Sequence, residues 1–431
     1  MTLNGCSKEG KVNTANWNWE PGDKLVHDFG TCDAEYKWIE EPQASPDGEN
    51  IAAVVNIDEE EFTLCVNGKT WETTFERCWF PRYSPDGRLT SLVTYEGTPT
   101  LAVDGETWEE SYDFLWQTMF SQDGSTIAAA VQTGMKYGLS VNDTLWETLY
   151  DNANHFTLSP DGSTSAAVVQ VKPLAQADIA TFQEGIYSVA VNGKAWDTTF
   201  VDAWQLVFNK DCSSLAAEVR TTIFDYTIAV DGATWKETFP CVWAPVFNPA
   251  TGSVVAPVRI AGKWIIAENG QPIWDQPFIQ CWHAMFSPDG QKLAAIVSPT
   301  FGRWTLAVNG KPWSTTFGDL VTDACFSPDG SRLAALGKQD EKWAVFTDDR
   351  PWSGRYDMAY TPVFSPDSRH VAAKVEKNGR FTIVINDKEF PHSFDAVWDP
   401  IFSPDSQNIL IRCLEDGKYT RRVVPVNTIT G

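Results

Sequence analysis

Cysteine, histidine and paired carboxylates are the residues from which a metal centre, a nucleophile or an acid–base pair would be built. The chain has nine cysteines and five histidines. No two cysteines stand in a C-x-x-C spacing, which argues against iron–sulfur clusters, covalent haem and structural zinc. His27, His155, His283, His370 and His392 are scattered, with no H-x-x-x-H pair. Cys78, Cys241 and Cys281 sit just before Trp79, Trp243 and Trp282 and read as packed thiols. There is no G-x-S-x-G, no phosphate-binding loop and no G-x-G-x-x-G after a strand. The 57 acidic residues are numerous enough to supply a glycosidase pair, but none stands out. The expectation is a chain with no catalytic, cofactor-binding or metal residues.

Two sets of side chains remain as candidate contact residues. Glu72, Glu109, Glu147, Asp197 and Asp275 each follow a tryptophan and would form an acidic belt for docking a basic partner. Arg82, Gln117, Gln205, His283, Asp323, Thr361 and Asp399 fall where strands would line a central channel. With 20 tryptophans, aromatic platforms for a sugar or a quinone are a further possibility.

The elements that would position them are set by an internal repeat. Ser-Pro-Asp-Gly or a relative begins at residues 45, 84, 121, 159, 209, 248, 287, 327, 365 and 403, at spacings of 39, 37, 38, 50, 39, 39, 40, 38 and 38. Pro presets φ in such a turn and Gly accepts φ > 0. Each marker is followed by Val-Asn-Gly or Val-Asp-Gly, or a relative, which is a hairpin signal. Three residues on comes an aromatic residue, a tryptophan at positions 71, 108, 146, 196, 235, 274, 313 and 352. Runs such as Leu293-Ala294-Ala295-Ile296-Val297 are short, apolar and bounded by turns, as buried strands are. Four short strands per copy, ten copies and no linkers predict an all-β chain of propeller blades.

Residues 1–22 would be an N-terminal arm and 23–431 the propeller. The last copy has only three strands, and Lys24–Phe29 is a spare one that would complete it and close a single ten-bladed ring; two five-bladed rings are the alternative. The one long insertion, 171–185, lies inside the fourth blade. Six more tryptophans, at 79, 116, 204, 243, 282 and 398, precede the markers by five residues, and the periodicity of both sets points to packing between blades.

The P-x-F-S-P-D-G-x-x-L-A-A pattern resembles the WD40-like repeats of TolB-type propellers. Val66-Asn67-Gly68-Lys69 with Trp71 to Phe75, and Val191 to Phe200, more closely resemble the tryptophan-rich cytoplasmic subunits of the transmembrane redox (Tmc) complexes of sulfate-reducing bacteria. That resemblance implies a cofactor-free subunit partnered by a membrane cytochrome b, an iron–sulfur subunit and a multihaem cytochrome c. It implies a cytoplasmic location, held at the inner membrane by those partners.

Charge and hydropathy narrow the classes. A formal charge of −24 leaves no basic patch for nucleic acid. No apolar run is long enough to span a bilayer. The start has no apolar signal segment, and the faint lipidation-like Leu3-Asn4-Gly5-Cys6 lacks one too, so the expectation is cytoplasmic. A carbohydrate-binding or carbohydrate-cleaving propeller and a stand-alone interaction scaffold are the alternative functions.

Overall fold

A computed structural model describes residues 13–31, 36–175 and 178–431. Residues 3–6, and most of the proposed arm, lie outside them. The chain is an all-β, ten-bladed β-propeller in which each blade is an antiparallel meander. Blade 5 is typical: Asp202–Phe208, Leu215–Arg220, Tyr226–Val230 and Ala233–Thr234 pair in that order. Gly22–Asp28 adds to Lys418–Pro425 of blade 10, with Gly22 opposite Val423 and Asp28 opposite Lys418. The N-terminal strand therefore completes the last blade, as the sequence indicates.

The blades fall into two compact units. One holds residues 136–138 and 146–362, and so blades 4 to 8; the other holds blades 1, 2, 3, 9 and 10. Within the first, blade 5 packs on blade 6 through Ala216, Ile228, Trp235 and Val258. Within the second, blade 10 packs on blade 1 through Tyr419, Ala44 and Ile51. These contacts are incompatible with separate rings of blades 1–5 and 6–10. The core consists of such seams, one between each pair of successive blades within a unit. Second strands are covered on both faces, which is why they read as unbroken apolar runs. Their paired alanines, such as Ala216-Ala217 and Ala294-Ala295, allow close approach of the next blade.

The turn motif works through its hydroxyl and carboxylate. In blade 1, Ser45 Oγ donates to Asp47 Oδ1 at 2.5 Å and accepts from Asn50 N at 2.9 Å. Gly48 closes the turn at φ 75°. In blade 5, Asn209 replaces the serine and Oδ1 takes over as acceptor from Ser214 N at 3.0 Å.

The fourth strand is not the continuous tryptophan-bearing strand that the sequence suggests. In blade 1 only Lys69 and Thr70 pair with the third strand, and pairing resumes as a single bridge between Phe62 and Phe75. Trp71 N still donates to Leu64 O at 2.9 Å, and residues 72–74 leave the sheet before the bridge. Thr63 Oγ1 holds the excursion by donating to Thr73 O at 2.8 Å, and Thr100, Thr227 and Thr305 do the same in their blades. The excursion lets the indole lie on the hairpin glycine of the next blade. A Cβ at Gly105 would sit 3.2 Å from Trp71, and one at Gly193 3.3 Å from Trp146.

These tryptophans therefore pack between blades, and on the first strands Trp79, Trp282 and Trp398 also pack against the seams between blades. Trp204 stacks on Tyr226 and Trp243 on Trp264, with centroids 6.1 and 5.3 Å apart, each pair within its own blade. Two short helices also depart from the all-strand reading. Ile179–Gln183 lies in the blade 4 insertion, and Val426–Thr430 seats Val426 in the core between blades 9 and 10.

Candidate functional site

The residues expected to line a channel stand on first strands, and a bulge decides where each one points. In seven blades the residue after the Trp position is left-handed: Glu41, Phe80, Gln117, His155, Gln205, His283 and Asp323 have φ between 51° and 54°. The strand register shifts at the same place, as between Trp116 and Met119. Gln117, Gln205, His283 and Asp323 are thus equivalent. Arg82 is not: Phe80 holds that register position in blade 2, because the bulge displaces simple alternation. Arg82 donates to Thr118 O at 2.8 Å and lies over the Phe80 and Phe120 rings. Thr361 and Asp399 occupy the same place in blades 9 and 10, where the first strand is split into two short pieces.

Three of the seven are brought together on blades 7 to 9. Thr361 Oγ1 donates to Asp323 Oδ1 at 2.7 Å. Burial lowers the His283 pKa, against the opposing charge of Asp323. Asp399 instead pairs with Lys374 at 3.4 Å.

The five acidic belt residues are all exposed. Glu72 and Glu109 lie in one unit; Glu147, Asp197 and Asp275 lie in the other. Each stands in the excursion after the inter-blade tryptophan. Where the hairpin glycine is replaced by aspartate, the excursion gains a second tie: Asp143 accepts from Glu109 N at 2.7 Å, and Asp349 from Thr315 N at 2.7 Å. Glu109 is thereby presented on backbone fixed by the neighbouring blade.

A buried acid was missed in the sequence. Glu218 on the second strand of blade 5 is paired across the sheet with Trp204 and is 7% exposed. Burial, with the nearby Asp202 charge, pushes its pKa up to about 8. Burial also raises Asp202, lowers His155 and raises Cys241. The signal was available: the same repeat position holds Val54, Leu92, Ala130, Val168 and Ile296 in other blades. Lys374 and Arg412 are its other charged occupants, and both are bound to partners.

The raised pKa fixes a sign. The folded state prefers protonated Glu218, so its contribution to stability is greatest below the unfolded carboxyl pKa and is lost as pH rises toward 8. Between pH 6 and pH 8 the wild type should lose about 2 kcal/mol relative to Glu218→Gln. Urea denaturation of both proteins at the two pH values measures this. Parallel pH profiles would refute it.

Of the cysteines, Cys78 and Cys281 are buried and Cys241 is half-buried. Burial pushes the Cys78 thiol up to about 12 and raises Cys281, so neither supplies a thiolate near neutral pH. Among the described residues, no group of three or more His, Cys, Asp or Glu side chains is placed to hold a metal ion.

A cleft of about 1300 Å³ opens on blades 1 to 3. Trp38, Trp79 and Phe114 line it, together with Glu40, Glu76 and Arg77. Trp38 is 48% and Phe114 64% exposed. Apart from Trp79, none of these was singled out in the sequence, since only the fold brings the starts of three first strands together.

No protein-family model matches the chain, and no curated protein matches it. Solved structures do. A eukaryotic initiation factor aligns at TM-score 0.49 and 15% identity, covering 76% of this chain and 89% of its own. TolB from Acinetobacter baumannii aligns at TM-score 0.30 and 16% identity, covering 60% of this chain and 63% of its own. Hydrazine synthase from Kuenenia stuttgartiensis aligns at TM-score 0.30 and 14% identity, over 48% of this chain and 73% of its own. The chain is a β-propeller, and its Ser-Pro-Asp-Gly repeats resemble those of TolB/WD40-type propellers. Among the described residues no helix is long and apolar enough to cross a membrane.

Proposed function

We propose that this chain is a non-catalytic interaction subunit of a membrane-associated electron-transfer complex, of the kind its tryptophan-rich repeats resemble. The observation that carries the proposal is the acidic belt: five blades present an exposed carboxylate at the same place, each on backbone anchored by an inter-blade tryptophan. Within each unit, like charges held in this way steer a basic partner and fix its register more than they add affinity. The partners are a membrane cytochrome b, an iron–sulfur subunit and a multihaem cytochrome c, and the chain itself carries no cofactor. It resides on the cytoplasmic side, held at the inner membrane through them.

The test is affinity purification of the tagged protein from detergent-solubilised native membranes, with a visible spectrum and mass spectrometry of the eluate. Haem and iron–sulfur subunits should co-purify, and recovery should fall at high salt. Glu147→Lys combined with Asp197→Lys should reduce it about tenfold at low salt with the thermal midpoint unchanged. Recovery of the protein alone and colourless would sink the reading.

The cleft on blades 1 to 3 favours a second reading, a carbohydrate-binding or carbohydrate-cleaving propeller. Exposed Trp38 and Phe114 beside Glu40 and Glu76 are suited to stacking on a sugar ring and binding its hydroxyls. A glycan array and a hydrolysis screen, repeated with Trp38→Ala, separate it from the first.

A further inference from the structure

In each blade the Ser-Pro-Asp-Gly turns and the Asn-Gly hairpins lie at one end of the strands. The hairpins joining second to third strands lie at the other. In blades 4 to 7, within one unit, that second end is apolar. Phe224 of blade 5 is 74% exposed, Ile260 of blade 6 is 41% and Phe301 of blade 7 is 91%. Ile179 on the blade 4 insertion is 66% exposed. Each is at or beside the tip of a separate hairpin, so these side chains protrude instead of lining a depression.

The hairpins of blades 6 and 7 are cationic, against the chain's −24. The hairpins of blades 6 and 7 read Arg259-Ile260-Ala261-Gly262-Lys263 and Pro299-Thr300-Phe301-Gly302-Arg303, with three exposed cations and no acid. Blades 4 and 5 carry acids at this end as well: Asp225 accepts from Thr222 Oγ1 at 2.6 Å, and Glu184 is exposed. In blade 4, Asp178 caps the short helix by accepting from Thr181 N at 3.0 Å. The set ends at blade 8, where the hairpin turns acidic with Asp340 and Glu341.

We infer that the hairpin tips of blades 4 to 7 dock directly onto an anionic lipid bilayer, inserting Phe224, Ile260 and Phe301 at the headgroup level while Arg259, Lys263 and Arg303 meet lipid phosphates. Protruding apolar tips fringed by cations suit the interface of a bilayer, whose surface is deformable and negatively charged. A protein partner of ordinary shape complementarity would instead meet a continuous patch. The inference does not depend on the redox partners, because it requires binding in their absence.

The experiment is co-sedimentation of the purified full-length protein with vesicles of phosphatidylcholine alone, or of phosphatidylcholine mixed with phosphatidylglycerol. The wild type should partition at least about tenfold better onto the anionic vesicles, and salt should weaken binding. Phe224→Ser with Phe301→Ser should reduce partitioning about tenfold, and so should Arg259→Glu with Lys263→Glu. Ile273→Ser, on a fourth-strand segment, is the control that should bind normally. All of these positions are exposed, so thermal midpoints should stay at the wild-type value. Absence of binding to either vesicle would overturn the inference. So would equal binding to both, or normal binding by the tip variants. Retention only by solubilised membrane protein, with none on vesicles, would assign the surface to a protein partner instead.

Discussion

Arg421→Ala should destabilise the protein by about 3 kcal/mol, the range expected when one partner of a largely buried ion pair is removed. Arg421 is 4% exposed and stands in blade 10, yet its contacts are with blade 1 and the N-terminal segment. Nε donates to Asp47 O at 2.8 Å, the guanidinium pairs with Glu49 at 3.0 Å, and Nη2 donates to Asn18 O at 2.5 Å. Arg412 and Tyr419 reinforce it, donating to Ser45 O at 3.0 Å and Gly48 O at 3.2 Å. Blade 10 lacks the tryptophan that other blades lay on the next hairpin; His27 lies against the Gly68 hairpin instead, and two buried arginines bind the turn that precedes it. Truncation leaves the carbonyls of Asp47 and Asn18 without this donor, and Glu49 with Lys24 alone. Arg421→Lys should recover only part of the loss, since an ammonium cannot reproduce the planar fork. Equilibrium denaturation gives the loss. Hydrogen exchange should place it, with faster exchange in Gly22–Asp28 and little change in blade 6. A midpoint shift no larger than that of exposed Lys69→Ala would refute the role.

The second large effect separates two costs that one turn motif combines. Gly87 and Gly124 end the same motif in blades 2 and 3, at φ 92° and 81°. A Cβ on Gly87 would meet nothing within 4 Å. On Gly124 it would collide with the backbone N and the carboxylate of Asp86 in the preceding turn. Gly87→Ala should therefore cost about 1 kcal/mol, the strain of a left-handed alanine. Gly124→Ala should cost about 3 kcal/mol, because backbone has to move. Arg88, which donates to Gly124 O, would be displaced with it. Equal losses in the two variants would mean that the turns of successive blades do not pack as described.

The turns and blade count were legible because their physics is local. Only a few residue types accept a left-handed backbone without strain, so glycine in Asp-Gly and Asn-Gly marks most of the turns and hairpins. Serine two residues before aspartate supplies its own closing hydrogen bond. The first-strand bulge was not legible, since its left-handed residue is Glu41, Phe80, Gln117 or His155, none of them glycine, and the fold imposes the conformation. Arg82 was misplaced for that reason. The excursion after Lys69-Thr70 was hidden in the same way, because Trp71 to Phe75 alternates like a strand. Glu218 could have been found by comparing the copies position by position. The cleft around Trp38 and Phe114 could not, because its residues come from three blades and share no motif.

The pairing of Gly22–Asp28 with Lys418–Pro425 also sets an order of events during synthesis. The early strand emerges from the ribosome almost four hundred residues before its partner. Blades in the middle of the chain can form from contiguous sequence as they appear, while this strand waits with its hydrogen-bonding edge open. The longest loop in the molecule closes last, and until then the nascent chain offers an edge to any other strand. Lys24 and the aspartates at either end of that strand keep it charged during the wait.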